Sequence, residues 1–223
     1  MRINPEILGR CMLFSGIRAE DRVPMLGCLG AKVLPVVKDQ VIFREGDPAD
    51  RIGVVLAGAV ELVREDYYGN RSLLARIGPA DLFGEGFAYA GIETFPINAV
   101  AVEAGSVLVL DSRRITTPCC NACSFHNQMI FNMLTVVARK NLLLNRKIEI
   151  TSKRTTQEKL MAYLLAQAKE QGSDTFTIPY DRQALADYLE VERSAMSAEL
   201  SKLRKAGVLE YHKNSFRLLK ALQ

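Results

Sequence analysis

Histidine is scarce in this chain. The two histidines, His126 and His212, fall outside the strand-rich stretch 41–111. A metal-dependent enzyme built on a β-roll needs His and carboxylate ligands on its strands, so that class is excluded. The first ten residues, MRINPEILGR, hold no apolar stretch of the kind a secretory signal carries. No run reaches the ~18 consecutive apolar residues of a membrane span. A cytoplasmic location without membrane contact is expected. The charge imbalance is small, a net +4, which permits nucleic-acid binding without demanding it. Five cysteines make an odd count, and three crowd one short segment. This argues against a disulfide scaffold and for free thiols, a metal or a redox role.

What is present is a chain of 223 residues, 48% of them hydrophobic. That is enough for a proper core in one large domain or two smaller ones. Two short helical patterns, 5–14 and 20–29, come first. Segments 41–47, 52–63, 71–78 and 98–111 then turn rich in β-branched residues. Gly46, Gly58, Gly69-Asn70 and Gly78 punctuate them. Short strands at this spacing predict an antiparallel roll or barrel.

A single helix is predicted over about 124–149, where no Gly or Pro intervenes. Ser124 is placed to cap it. Ile130, Leu134, Val137, Asn141, Leu144 and Ile148 recur at alternating steps of four and three, the pattern of a coiled-coil seam. At 1.5 Å per residue the rod is roughly 39 Å long, more than a monomeric roll needs as a cover. A symmetric dimer is therefore expected, with Asn141 as a register-fixing polar pair. The alternative is an amphipathic helix packed on its own domain. Phe125, Met129, Phe131 and Met133 read as core.

The remainder is helical and ends in a hairpin around Lys213-Asn214. One amphipathic helix closes at Gly172. Asp181 then caps a helix whose buried face is Ala184, Leu185 and Leu189, with Ala186 small enough for close packing. Glu190-Val191-Glu192 forms a turn plugged by Val191. The next helix buries Met196, Leu200 and Leu203 and shows Arg193, Ser194, Ser197 and Ala198. This is the arrangement of a helix-turn-helix with a β-wing, whose second helix reads the major groove. Arg193 can donate two hydrogen bonds to a guanine, worth ~1–3 kcal/mol of discrimination. The candidate DNA contacts are Arg182, Gln183, Arg193, Ser194, Ser197, Ala198, Lys202, Lys205 and Lys213. Arg204 and Arg217 add charge for phosphates, which set affinity rather than sequence. His212 reads as a phosphate contact or a solvated side chain. The bland alternative, ordinary bundle packing with a solvated basic face, does not account for the adjoining wing and the upstream seam.

DRQALADYLEVERSAMSAELSKLRKAGVLE resembles the winged helix-turn-helix of Crp/Fnr regulators. IFREGDPADRIGVVLAGAVELV followed by LARIGPADLFGE resembles the β-roll of the same family. The resemblance implies an α+β fold: a jelly-roll (double-stranded β-helix) sensor domain over 1–123, a dimerisation helix over 124–150 and a winged helix-turn-helix over 151–223. It implies a transcription regulator rather than an enzyme, working as a homodimer on a pseudo-palindromic operator in double-stranded DNA. The two recognition helices would then sit about 34 Å apart. It also implies contact with RNA polymerase and an effector. The competing function is a cyclic-nucleotide-binding or dimerisation module without operator specificity.

The sequence departs from the family in three places. In the cyclic-nucleotide branch a Gly-Glu pair precedes an Arg-Ser pair that holds the cyclic phosphate. Gly84 and Glu85 are present, but Phe95-Pro96 stands where Arg-Ser is expected, and no arginine lies between Gly84 and Asp111. The missing charge-assisted bond is worth ~1.5–3 kcal/mol, and its loss leaves a phosphate unpaired. Useful cyclic-AMP affinity is not expected; Gly84, Glu85, Phe95 and Asn98 mark a pocket for some other small molecule. Cys119, Cys120, Cys123 and His126 have ligand-like spacing near a helix N-terminus, where thiol pKa falls. The oxygen-sensing branch carries an iron–sulfur cluster on four cysteines, three of them N-terminal. That N-terminal cluster is absent, since Cys11 and Cys28 lie far apart. Buried structural cysteines, a zinc or iron–sulfur site and a redox thiol all stay open. Finally, Ser194 and Ala198 replace the family's frequent Glu and second Arg, so its operator consensus does not carry over. Ser197 and Glu199 are the substitutes.

Overall fold

The computed structural model describes residues 4–65, 67, 71–117 and 125–219. The chain divides into two compact units, Met1–Arg139 and Lys140–Gln223. The expected dimerisation segment is thus shared between them.

The first unit opens with α1 (Pro5–Arg10), a 3-10 turn (Met12–Phe14) and α2 (Ala19–Cys28). Asn4 caps α1 by accepting from the Glu6 N–H. Two four-stranded antiparallel sheets follow. One orders β1 (Lys32–Val36), β8 (Gly105–Asp111), β3 (Arg51–Ala57) and β6 (Leu82–Phe83). The other orders β2 (Val41–Phe43), β7 (Asn98–Ala101), β4 (Val60–Glu65) and β5 (Arg71–Ile77). Except for the β4–β5 pair, successive strands switch sheets, which makes the jelly roll. β1 was not foreseen in the sequence. It holds Pro35 and lies at a sheet edge, where proline costs no ladder bond.

The central strands β3 and β8 are apolar on both faces because both are covered. Ile52, Val54, Leu108 and Leu110 face a core completed by Leu8, Leu13, Phe14 and Met25. Val55, Val107 and Val109 face the other sheet, with Val60, Ala101 and a group of phenylalanines. The two strands approach closely at Gly105, where a Cβ would lie 2.0 Å from the Ala57 carbonyl oxygen. Only glycine fits there.

Two short helices, α3 (Glu85–Ala88) and α4 (Ser112–Thr116), precede the long α5 (Phe125–Thr151). Met129, Met133 and Val136 of α5 join the first core. Asn132, only 4% exposed, donates to the carbonyls of Leu13 (2.9 Å) and Ser15 (2.7 Å) and accepts from Gln128 Nε2. That satisfied amide ties the N-terminal turn to α5. Phe131, read from sequence as core, is instead 65% exposed. It lies two residues beyond Met129 and so points to the opposite side of the helix.

The second unit holds the last turns of α5, then α6 (Thr156–Gln171), β9 (Thr175–Thr177), α7 (Arg182–Leu189), α8 (Arg193–Lys205) and the hairpin β10 (Leu209–His212) with β11 (Ser215–Leu218). Thr155 and Glu158 form a capping box on α6, and Gly172 at φ 61° ends it. The three strands order β10-β11-β9, which leaves β10 at an edge. One core joins Leu160, Leu164, Leu185, Leu189, Met196 and Phe216. No helix among the described residues is long and apolar enough to cross a membrane.

Candidate nucleic-acid interface

Asp181 caps α7 by accepting the Ala184 N–H at 2.8 Å. Glu190 ends the helix in the left-handed region, φ 55°, and the Val191 N–H closes the turn on the Ala186 carbonyl. Val191 is half-buried against the core. α8 then buries Met196, Leu200 and Leu203 completely or nearly so. Its other face carries Arg193, Ser194 and Ala198 in the open, and Ser197 half-buried. Arg193 makes no ion pair among the described residues, so its five donors face solvent. Lys205 and Lys213 are likewise exposed, with Lys213 at the hairpin tip at φ 51°.

The other three candidates are engaged locally. Lys202 pairs with Glu199 at 2.6 Å. Gln183 donates to Asp187 along α7. Arg182 lies over the wing, its guanidinium carbon 4.8 Å from the Tyr211 ring centre and 5.2 Å from that of Phe216. Burial there pushes the guanidinium pKa down.

Sequence reasoning missed how the end of α5 grips this unit. Arg146 donates to the Ala166 carbonyl at 2.6 Å and pairs with Glu170 at 2.9 Å. Lys147 lies 5.5 Å above the Tyr188 ring and 4.0 Å from Glu190, and Ile150 is buried in the same core. Lys159 donates to the Glu190 carbonyl. The turn between α7 and α8 is thereby tied to both α5 and α6. Spacing alone gives no signal for such ties, because they join residues distant in sequence.

The seam residues share one side of α5. Leu134, Val137, Leu144 and Ile148 are 65%, 41%, 56% and 55% exposed, Ile130 is half-buried, and Asn141 is exposed. Asn141 accepts from Asn145 Nδ2 at 2.9 Å within the helix.

In the roll, Gly84 sits at φ 85° before the buried Glu85. Phe95 stacks on Phe43 with ring centres 4.9 Å apart and planes 7° off parallel, and meets Phe87 edge-on. The far end of the Phe83 ring abuts Gly53, where a Cβ would come within 2.2 Å of it. The space these rings line is too tight to hold a water molecule. Gly84 and Phe95 meet around an interior filled by phenylalanine. Asn98 takes no part in it and accepts the Glu45 N–H at 3.0 Å. Calorimetric titration with cyclic AMP is accordingly expected to show no micromolar binding; a micromolar isotherm would refute this.

Cys119, Cys120 and Cys123 lie outside the described residues. His126 is 3% exposed, its Nε2 hydrogen-bonded to the Arg114 carbonyl at 3.2 Å and its ring against Phe125. Among the described residues no group of three His, Cys, Asp or Glu is placed to hold a metal.

A two-sheet roll joined through a long helix to a winged helix-turn-helix is the build of a DNA-binding transcription regulator. Residues 33–117 match the cyclic nucleotide-binding domain family and residues 158–222 match the Crp-like helix-turn-helix domain family. The chain belongs to the Crp/Fnr family of regulators. It is 33% identical over 82 residues to the CRP-like cAMP-activated global transcriptional regulator of Mycobacterium tuberculosis, a match spanning 36% of this chain and 35% of that protein. It is 21% identical over 195 residues to the transcriptional activator protein FnrA of Stutzerimonas stutzeri, spanning 84% and 77%. The fold matches that of the c-di-GMP responsive global regulator CLP of Xanthomonas campestris, with a TM-score of 0.62, 16% identity and coverage of 90% and 100%.

Proposed function

We propose that the protein works in the cytoplasm as a homodimer on a pseudo-palindromic operator, gated by an effector other than cyclic AMP. In this reading 1–123 senses, 124–150 dimerises and 151–223 binds DNA. The observation that carries it is α8, which spends one face on the core and leaves Arg193, Ser194 and Ala198 open at its start. The first turn of a recognition helix is where base edges are reached. The exposed seam on α5 supports two-fold pairing. The phenylalanine-filled roll supports an effector other than cyclic AMP. RNA polymerase is the further partner in this reading. Effector action would shift an equilibrium between arrangements of the dimer, so it must favour one of them energetically.

Arg193→Ala is expected to weaken operator binding by ~1–3 kcal/mol while leaving random-sequence binding nearly unchanged. Fluorescence anisotropy on both duplexes measures this. Equal affinity for the two duplexes, before and after the substitution, would favour the module without operator specificity.

A further inference from the structure

We infer that Tyr211 seats the wing between the two helices of the helix-turn-helix, and that Arg182 positions the wing instead of touching DNA. The inference rests on the operator-binding reading above.

Tyr211 lies on β10, directly across from Phe216 on β11, with ring centres 6.1 Å apart. Arg182, the first residue of α7, places its guanidinium over both rings of this pair. Arg204, in the last turn of α8, sits 5.6 Å from the Tyr211 ring centre. One aromatic ring therefore takes a cation from each helix, an electrostatic attraction to the ring quadrupole. Phe216 is separately fixed by its stack with Phe176 and by pairing with β9. Among the described strands β10 pairs with β11 alone, so it is held by the buried Leu209 at its start and by Tyr211 next to the tip. Two residues on, the chain reaches Lys213 at the exposed tip. The two rings fix where this half-buried guanidinium stands, so its place is set by the wing. Arg182 thus acts on DNA through the wing, by fixing where the Lys213 charge stands.

The test compares Tyr211→Ala, Tyr211→Phe, Arg182→Ala, Lys213→Ala and the Tyr211→Ala/Lys213→Ala double variant of the full chain. Anisotropy on operator and random duplexes over a range of salt gives the slope of log K against log[salt], which counts phosphate contacts. Lys213→Ala, Tyr211→Ala and Arg182→Ala are each expected to shrink that slope by about one. The double variant should shrink it no further, and Tyr211→Phe should keep the native slope. The ratio of operator to random affinity should hold throughout. An independent readout uses proton NMR: the Arg182 side-chain protons should shift upfield under the rings and lose much of that shift in Tyr211→Ala. Native slopes in Tyr211→Ala beside a reduced one in Lys213→Ala would overturn the inference, as would additive losses in the Tyr211→Ala/Lys213→Ala double variant or in an Arg182→Ala/Lys213→Ala double variant measured beside it, or a native slope in Lys213→Ala. Native protein that binds neither duplex would defeat the operator reading as well; the ring-shifted arginine signals would then show which of the two had failed.

Discussion

Leu134→Glu is expected to turn the protein into a monomer and to weaken operator binding by at least ~100-fold. Leu134 is 65% exposed and shares its stripe with Val137, Leu144 and Ile148. Across a two-fold axis the substitution occurs twice. Each leucine forfeits roughly 1.5–3 kcal/mol of burial. The two carboxylates would also be forced toward each other in a desolvated seam. A total above about 3 kcal/mol corresponds to more than ~100-fold in dimer affinity. A lone chain presents one recognition helix and loses the effective concentration that the second half-site supplies. Since the side chain is exposed, the fold itself should change by less than ~0.5 kcal/mol. Sedimentation velocity and anisotropy read the two effects separately. An unchanged sedimentation coefficient at micromolar protein would mean that this stripe is not the dimer seam.

Phe95→Ala is expected to cost the roll ~3–5 kcal/mol, the range for removing a fully buried aromatic side chain. Phe95 is 2% exposed and is sandwiched between Phe43 and Phe87. The neighbours have little freedom to collapse into the gap. Phe43 also leans on Phe83, which is itself pressed onto Gly53. The cavity therefore persists, and its lining loses contact atoms outright. Denaturant unfolding followed by a probe in the first unit measures the loss. A cost under about 1 kcal/mol would show that the interior is loose enough to accommodate a ligand after all.

The architecture was largely legible from periodicity and turn chemistry. The β-branched runs became β2 to β5, β7 and β8, the stretch without Gly or Pro became α5, and Lys213-Asn214 became the wing turn. Asp181, Leu185, Leu189, Met196, Leu200 and Leu203 each took the place their spacing required. These are local signals, set by helix and strand repeat. What stayed hidden depends on contacts between distant segments. Phe43, Phe83, Phe87 and Phe95 come from separate elements, and nothing in their spacing reveals that they meet. In the sequence Arg182 shows only as a basic residue at a helix start; the fold brings Tyr211 and Phe216 beneath it. Asn132 sits on an otherwise apolar face because two carbonyls of the N-terminal turn need its amide. Phe131 followed helical spacing to the wrong side.

Selection of duplexes from a random library by the full-length protein tests the account most directly. An enriched inverted repeat is predicted, with half-sites centred about 10–10.5 bp apart and two chains on each duplex by native mass spectrometry. A pool without enrichment, or a single unrepeated motif held by one chain, would contradict it.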